Sequence, residues 1–188
     1  MAALPRLLVC AALGCAALVL GNGSPALAAA PCADATLSPL RENLERVRAA
    51  TLCLLNAERD RRDLAPLRAN EQLDAAADRY STKMVRERFF DHVCPEGSTL
   101  TSRVRAGTRY LRDAAGTWEL GENLAWGSGS RATARATVRA WMRSSGHRHN
   151  ILNRRFRDIG IGVAAGAPAA GEGDAATYTT DFGYRATR

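Results

Sequence analysis

The spacing of apolar residues changes part-way along this chain, and that change limits the fold more than any other feature. Between Ser38 and Arg62, Leu40, Leu44, Val47 and Leu54 recur at helical spacing; between Asn70 and Phe90, Leu73, Ala77, Tyr80 and Met84 do the same. Beyond Trp118 the pattern becomes that of strands. WELGENLA (118–125), IGIGVAA (159–165) and TYTTDFG (177–183) are short and rich in β-branched and aromatic residues. One more amphipathic helix, marked by Ala134, Val138, Trp141 and Met142, lies among them. Helices first and strands later predict an α+β domain. Ser38-Pro39 supplies a cap and a first-turn proline for the first helix, and Asn70 caps the second. A short helix is expected over Thr99–Arg105, with loops at Gly107 and Gly116 and a hairpin loop over Gly166–Gly173. With 188 residues and no internal repeat, one domain with a real core is expected.

Residues 1–28 read as an export signal. Arg6 precedes a continuous apolar stretch from Leu7 to Leu20, GNGSP (21–25) breaks it, and Ala26-Leu27-Ala28 puts small residues at the −3 and −1 positions. Cleavage is expected after Ala28. A cut after Ala30 would leave Pro31 next to the bond, and a lipoprotein signal ending at Cys15 conflicts with the apolar residues that continue to Leu20. The apolar run is shorter than the ~20 residues that span a membrane. The expected plan is a signal over 1–28, an N-terminal segment and helix start over 29–48, and the domain proper over 49–188. The protein is expected to be secreted and extracellular.

Outside the cytosol thiols tend to pair. Cys10 and Cys15 leave with the signal, so Cys32, Cys53 and Cys94 allow one bridge and one thiol left over. Cys32, in a loose segment, is expected to pair with Cys53, on the first helix. That loop is worth roughly 3 kcal/mol and pins the terminus to the body. Cys94, in the HVCPEG turn, is expected to remain free and structural.

The net charge is +7 and the isoelectric point about 9.7, with Lys83 the sole lysine. Such a surplus can serve an acidic partner. Arginine in place of lysine, with abundant alanine, is also what GC-rich coding produces. The arginines stand singly along helices without interleaved aromatics, so nucleic acid is not expected as a partner, and a monomer is expected.

Four polar features could carry chemistry: His92 in FFDH, Glu122 in LGENLAWG, and His147 and His149 in SSGHRHNIL. A carboxylate inside a strand is costly unless it is paired or hydrogen-bonded. Two histidines and a glutamate brought together from separate elements could bind a divalent metal or move protons, whereas apart they are satisfied caps. Ser144 and Ser145 beside His147 admit a hydrolase, but there is no G-x-S-x-G elbow or glycine-rich oxyanion loop. Ser145-Gly146 reads as a helix end, and His149 as a surface residue.

LLNAERDRRDLAPL (54–67), FFDH with PEGSTLTSRV (95–104), GENLAWG (121–127), WMRSSGHRHNIL (141–152), FRDIGIGVA (156–164) and TTDFG (179–183) run in one order from Leu54 to Gly183. In these blocks the chain resembles the CAP superfamily of cysteine-rich secretory, antigen 5 and pathogenesis-related proteins, and in particular its bacterial secreted branch. The resemblance implies a three-layer α-β-α sandwich around a small antiparallel sheet, with a cleft. In eukaryotic members the cleft holds two histidines and two glutamates. Carried over, His92 is the first histidine, Glu122 the GEN glutamate and His147 the second histidine. The second glutamate would fall near Ser144, after Trp141, where no carboxylate stands. This leaves His92, Glu122 and His147 as an open three-ligand site, expected to hold a divalent cation such as zinc only weakly.

Asn123, Ser144 and Arg148 are expected to support the cleft, and Arg148 and Arg103 to hold its loops through carbonyls or salt bridges. The same cluster also makes sense as a structural knot, with Glu122 accepting imidazole N–H bonds. The function expected is a secreted, non-enzymatic binding module whose cleft takes a divalent cation, a lipid or an envelope component. No catalytic residue is assigned. The rival is a secreted, protease-like hydrolase using the same cleft. A third reading, a wall-associated protein holding anionic polymer by its charge, has no wall-binding repeat or sortase motif behind it.

Overall fold

Asn70 begins the helix against which the sheet is built. Its side chain accepts the N–H groups of Gln72 and Leu73, and helix α2 (Glu71–Glu87) runs from there to Arg88, whose left-handed backbone (φ 55°) stops it. The computed structural model describes residue 1 and residues 32–186, apart from 113, 115 and 172. The export signal expected over 1–28 therefore lies, but for Met1, outside the described residues.

The other helices are α1 (Leu44–Asp60), α3 (Leu100–Gly107), α4 (Ala134–Arg143) and α5 (Ser145–Leu152). The strands are β1 (Arg68–Ala69), β2 (Trp118–Ser128), β3 (Asp158–Ala165) and β4 (Ala175–Arg185), in the spatial order β1-β3-β4-β2. The sheet is antiparallel except for the two-residue β1, which pairs in parallel with β3 and which the apolar spacing does not mark. α2 and α3 cover one face; α1, α4 and α5 cover the other. Strand β4 shows the alternation. Tyr178 and Phe182 enter the core with Val47, Leu55, Trp141 and Ile151, while Thr179 faces α2, with Ser81 Oγ 2.9 Å from its hydroxyl.

Three boundaries differ from the sequence reading. Asn43 Oδ1 accepts the Leu40 N–H (2.8 Å) while Asn43 Nδ2 donates to Ser38 O (3.0 Å). These local bonds turn Arg41–Asn43 into a 3-10 turn and delay α1 to Leu44. α2 stops at Glu87, short of the Phe90 to which the helical spacing extends, and His92 lies in the turn beyond it. Ser144, in extended conformation (ψ 126°), separates α4 from α5, so Ser145-Gly146 opens a new helix instead of closing the old one.

The glycines of IGIGV let α2 lie directly on β3. A Cβ on Gly160 would sit 2.0 Å from the Leu73 carbonyl carbon, and one on Gly162 would sit 2.2 Å from that of Ala77. Asp74 on α2 uses the proximity: its Oδ1 accepts the Ile161 N–H at 2.7 Å. On the opposite layer Trp141 Nε1 donates to Leu124 O (3.0 Å). The guanidinium of Arg59, fully buried, donates to Ala65 O, Ile151 O, Asn153 O and Phe156 O, tying α1 to the connection between α5 and β3. Cys32 and Cys53 are joined, with Cα atoms 5.7 Å apart across 21 residues, while Cys94 is a buried free thiol.

Because the clash at Gly162 is with main chain, no side chain can move aside to relieve it. Gly162→Ala is expected to cost about 3 kcal/mol in urea unfolding. Serine at both Cys32 and Cys53 should cost a similar amount, roughly 3 kcal/mol, and mapping of a non-reduced digest should find Cys94 unbridged.

Candidate functional site

Glu122 stands on β2 directly opposite Asp181 on β4, both on the face covered by α2 and α3. The Glu122 carbonyl oxygen is taken from outside the strand pair by Asn150 Nδ2 (3.1 Å). Glu122 and Asp181 therefore form a pair without ladder bonds, the arrangement in which opposed side chains come closest. Gly121 is required just before it, because a Cβ there would lie 2.9 Å from the Phe156 ring and 3.1 Å from Asn150 Oδ1.

The Glu122 side chain, 4% exposed, has a partner on each oxygen. His92 Nδ1 lies 2.7 Å from Oε1, and Arg103 Nη2 donates to Oε2. Arg103 is the hub. Its Nη1 also donates to His92 O (2.9 Å) and Ser98 O (3.2 Å), and its guanidinium carbon lies 3.4 Å from the centre of the Tyr80 ring. Tyr80 in turn donates its hydroxyl to Asp91 O (2.6 Å), and Asp91 Oδ1 accepts the Val93 N–H (2.9 Å). The turn carrying His92 is thus fixed from α2, from α3 and from β2. Arg103 reaches it because the Thr99 cap starts α3 one turn earlier, accepting the Ser102 N–H.

Protonation follows from this arrangement. The bond to Glu122 raises the His92 pKa above its ordinary value. Burial, and then the negative charge of Glu122, push the Asp181 carboxyl well above the usual carboxylate range, so it is held neutral. Asp181 is 1% exposed, and its Oδ1 has no hydrogen-bond partner. For His147, burial and then the charge of His92 lower the pKa.

The residues expected from the sequence differ in what holds them. His92 and Glu122 are bonded to each other. His147, on α5, is held by its main chain, its carbonyl accepting from Asn123 Nδ2 (3.0 Å), with its ring 6.5 Å from that of Trp141. Asn123 Oδ1 also accepts from Asn150 Nδ2 (2.9 Å). Ser144 is half-exposed at the α4–α5 junction. Arg148 is exposed and donates to Met142 O (3.1 Å), bracing α5 on α4. His149 is exposed on α5.

These residues do not fit a metal ion. Glu122 has a guanidinium on one oxygen and an imidazole on the other. Among the described residues no group of three or more His, Cys, Asp and Glu side chains is placed to hold a metal. Sequence reasoning gave Arg103 the role of a loop brace and passed over Asp181. The argument that flagged Glu122, a carboxylate inside a strand, applies equally to Asp181 in TTDFG.

The model of the cysteine-rich secretory protein family, CAP, matches residues 52–178, well over half of the sequence. The chain belongs to the CAP family. Its fold is shared by an outer surface protein of Borrelia burgdorferi (20% identity, TM-score 0.60, covering 78% of this chain and 95% of that one). An extracellular SCP-domain protein of Bacillus anthracis is also similar (25% identity, TM-score 0.58, covering 78% and 45%). Among curated relatives, the uncharacterized protein YkwD of Bacillus subtilis is 39% identical over 110 residues, 58% of this chain and 39% of that one. The uncharacterized membrane protein YlbC of the same organism is 30% identical over 112 residues, 60% and 30%. The chain thus matches about two-fifths or less of the length of these curated relatives.

The two histidines should titrate on opposite sides of the free value of about 6.5. His92 gains a partner on folding, so its contribution to stability is full below about pH 6.5 and is lost as pH rises through its higher folded midpoint. His147 has a depressed midpoint, so it opposes folding as pH falls below about 6.5. NMR titration is expected to bracket that value, and His92→Asn should move the His147 midpoint upward. An unmoved His147 midpoint would mean that the rings do not share one electrostatic environment.

Proposed function

We propose that this chain is an exported CAP domain that acts by binding an anionic amphiphile, a lipid or lipid-like envelope component, and not by hydrolysis. The observation that carries this reading is the double use of Arg103. From within, it neutralises Glu122; from without, it lines a groove of about 730 Å³ between α2 and α3. The exposed Ala106, with the almost fully buried Ala76 and Tyr80, stands there among the cationic Arg79, Lys83 and Arg103. Arg79 reaches along the groove to Gly107 O (3.2 Å). A ligand with an acyl or other apolar body and an acidic head matches both parts. A hydrolase that used Glu122 as its base would need that carboxylate free to take a proton from water, and both its oxygens are engaged. The signal pattern over 1–28 supports export, as do the extracellular and outer-surface relatives. Among the described residues no helix is long and apolar enough to cross a membrane.

Calorimetry with monomeric lysophosphatidylglycerol tests the proposal. Saturable binding is expected, weakened about tenfold by Arg79→Ala, the loss of one charge-assisted bond. Zinc is expected to show no micromolar affinity for the same protein. Turnover of a peptide or ester substrate, abolished by Glu122→Gln, would favour the hydrolase instead.

A further inference from the structure

The geometry points to a docking track for a linear polyanion along the outer side of α4. Arg135, Arg139 and Arg143 follow at i, i+4 and i+8, and all three line the groove between α4 and α1, with Arg61 and its partner Glu58 on the α1 side. Four helical residues rise ~6 Å, so the guanidinium groups are borne at that repeat. It is of the order of the distance between successive phosphodiesters joined by a short polyol.

The sequence of α4 contains no acid, and each of the three arginines is exposed. Among the described residues none of the three is paired with a carboxylate, whereas Arg61 and Arg62 share Glu58, and Lys83 and Arg86 share Glu87. Like charges at i, i+4 work against a helix. The packing of α4 does not call for them, since its buried face is Ala134, Thr137, Val138 and Trp141 and its cap is Thr133. The surplus charge is therefore laid out in a row, which coding bias alone does not explain.

A polymer fits this row better than a membrane does. Among the described residues the exposed large apolar ones, Met1, Leu40, Phe90, Val93 and Trp126, are all off α4, so the face lacks the anchors of an interfacial helix. The apolar residues of the groove, Leu54, Ala57, Val138 and Met142, are buried or half-buried, and spaced exposed cations above them attract an extended polyanion by counterion release, which makes the binding steeply salt-dependent. The track is separate from Glu122 and from the α2–α3 groove, so it stands or falls independently of the function proposed above.

Long-chain inorganic polyphosphate is the probe, followed by fluorescence anisotropy over a range of salt concentrations. Replacing Arg135, Arg139 and Arg143 with glutamine is expected to weaken binding about tenfold or more and to flatten the salt dependence. Replacing the exposed Arg68, Arg109 and Arg112 with glutamine removes the same charge elsewhere and is expected to cost less than about threefold. Both triple variants should keep the wild-type circular dichroism and melting temperature. Should the first not fold, Arg139→Gln alone is expected to weaken binding by more than any single control substitution. Equal losses in the two sets would reduce the effect to net charge and overturn the proposal. So would triphosphate binding as tightly as the polymer, or a loss of phosphatidylglycerol vesicle binding in the α4 variant as large as its loss of polyphosphate binding.

Discussion

The depth to which α2 can settle on β3 governs the rest of this molecule. Two glycines remove the side chains that would hold the helix away, and main chain meets main chain at Leu73 and Ala77. Close seating sets the height of Tyr80 above the sheet. The Tyr80 ring forms the floor under Arg103, and Arg103 meets Glu122. Thus a pair of absent side chains in one strand decides where a guanidinium sits above another. A helix raised by one methyl group would lift that floor and leave a strand carboxylate buried with half its partners.

The charge balance of the cluster follows from the same seating. Two carboxyl groups face each other across β2 and β4, with one guanidinium and one imidazole to match them. Holding Asp181 neutral leaves one carboxylate, one permanent cation and one imidazole that can be charged. Such a cluster braces three elements, and its carboxylate has no spare oxygen. Arg59 plays the matching part in the other layer, but with carbonyl groups in place of a carboxylate. Burial lowers its pKa for that reason. By fixing the chain between α5 and β3 it also places Asn150 and Phe156 behind Gly121.

Much of this was legible in the residues. The change of apolar period gave the α+β class, Asn70 marked the start of α2, and Cys32 and Cys53 were the natural pair. Glu122 was conspicuous as a strand carboxylate, and the ordered blocks identified the family. The misread boundaries lay where local side-chain bonds override periodicity. Asn43 delays α1, and Ser144 breaks what looks like one helix into two. The hub itself was harder to see. Arginine in TSRV resembles many other arginines until the Tyr80 face and the Glu122 oxygen are brought to it, and that meeting depends on packing between residues distant in sequence. The row on α4 was hidden for another reason: counted along the chain its arginines are single, and only helical spacing and the groove beside them make a row.

The hydrogen bonds that steady the sheet also end it. Among the described residues β2 has no strand on its outer side, yet Trp141 and Asn150 take the carbonyls of Leu124 and Glu122 there. On the far side β1 covers only the start of β3, and Asp74 takes the next outward N–H, that of Ile161. Main-chain groups that would otherwise template an incoming strand are thus already engaged, on each margin, by side chains from the helical layers. A donor peptide or a neighbouring copy finds little backbone free to recruit at these points. There the helical layers, and not another strand, finish the sheet.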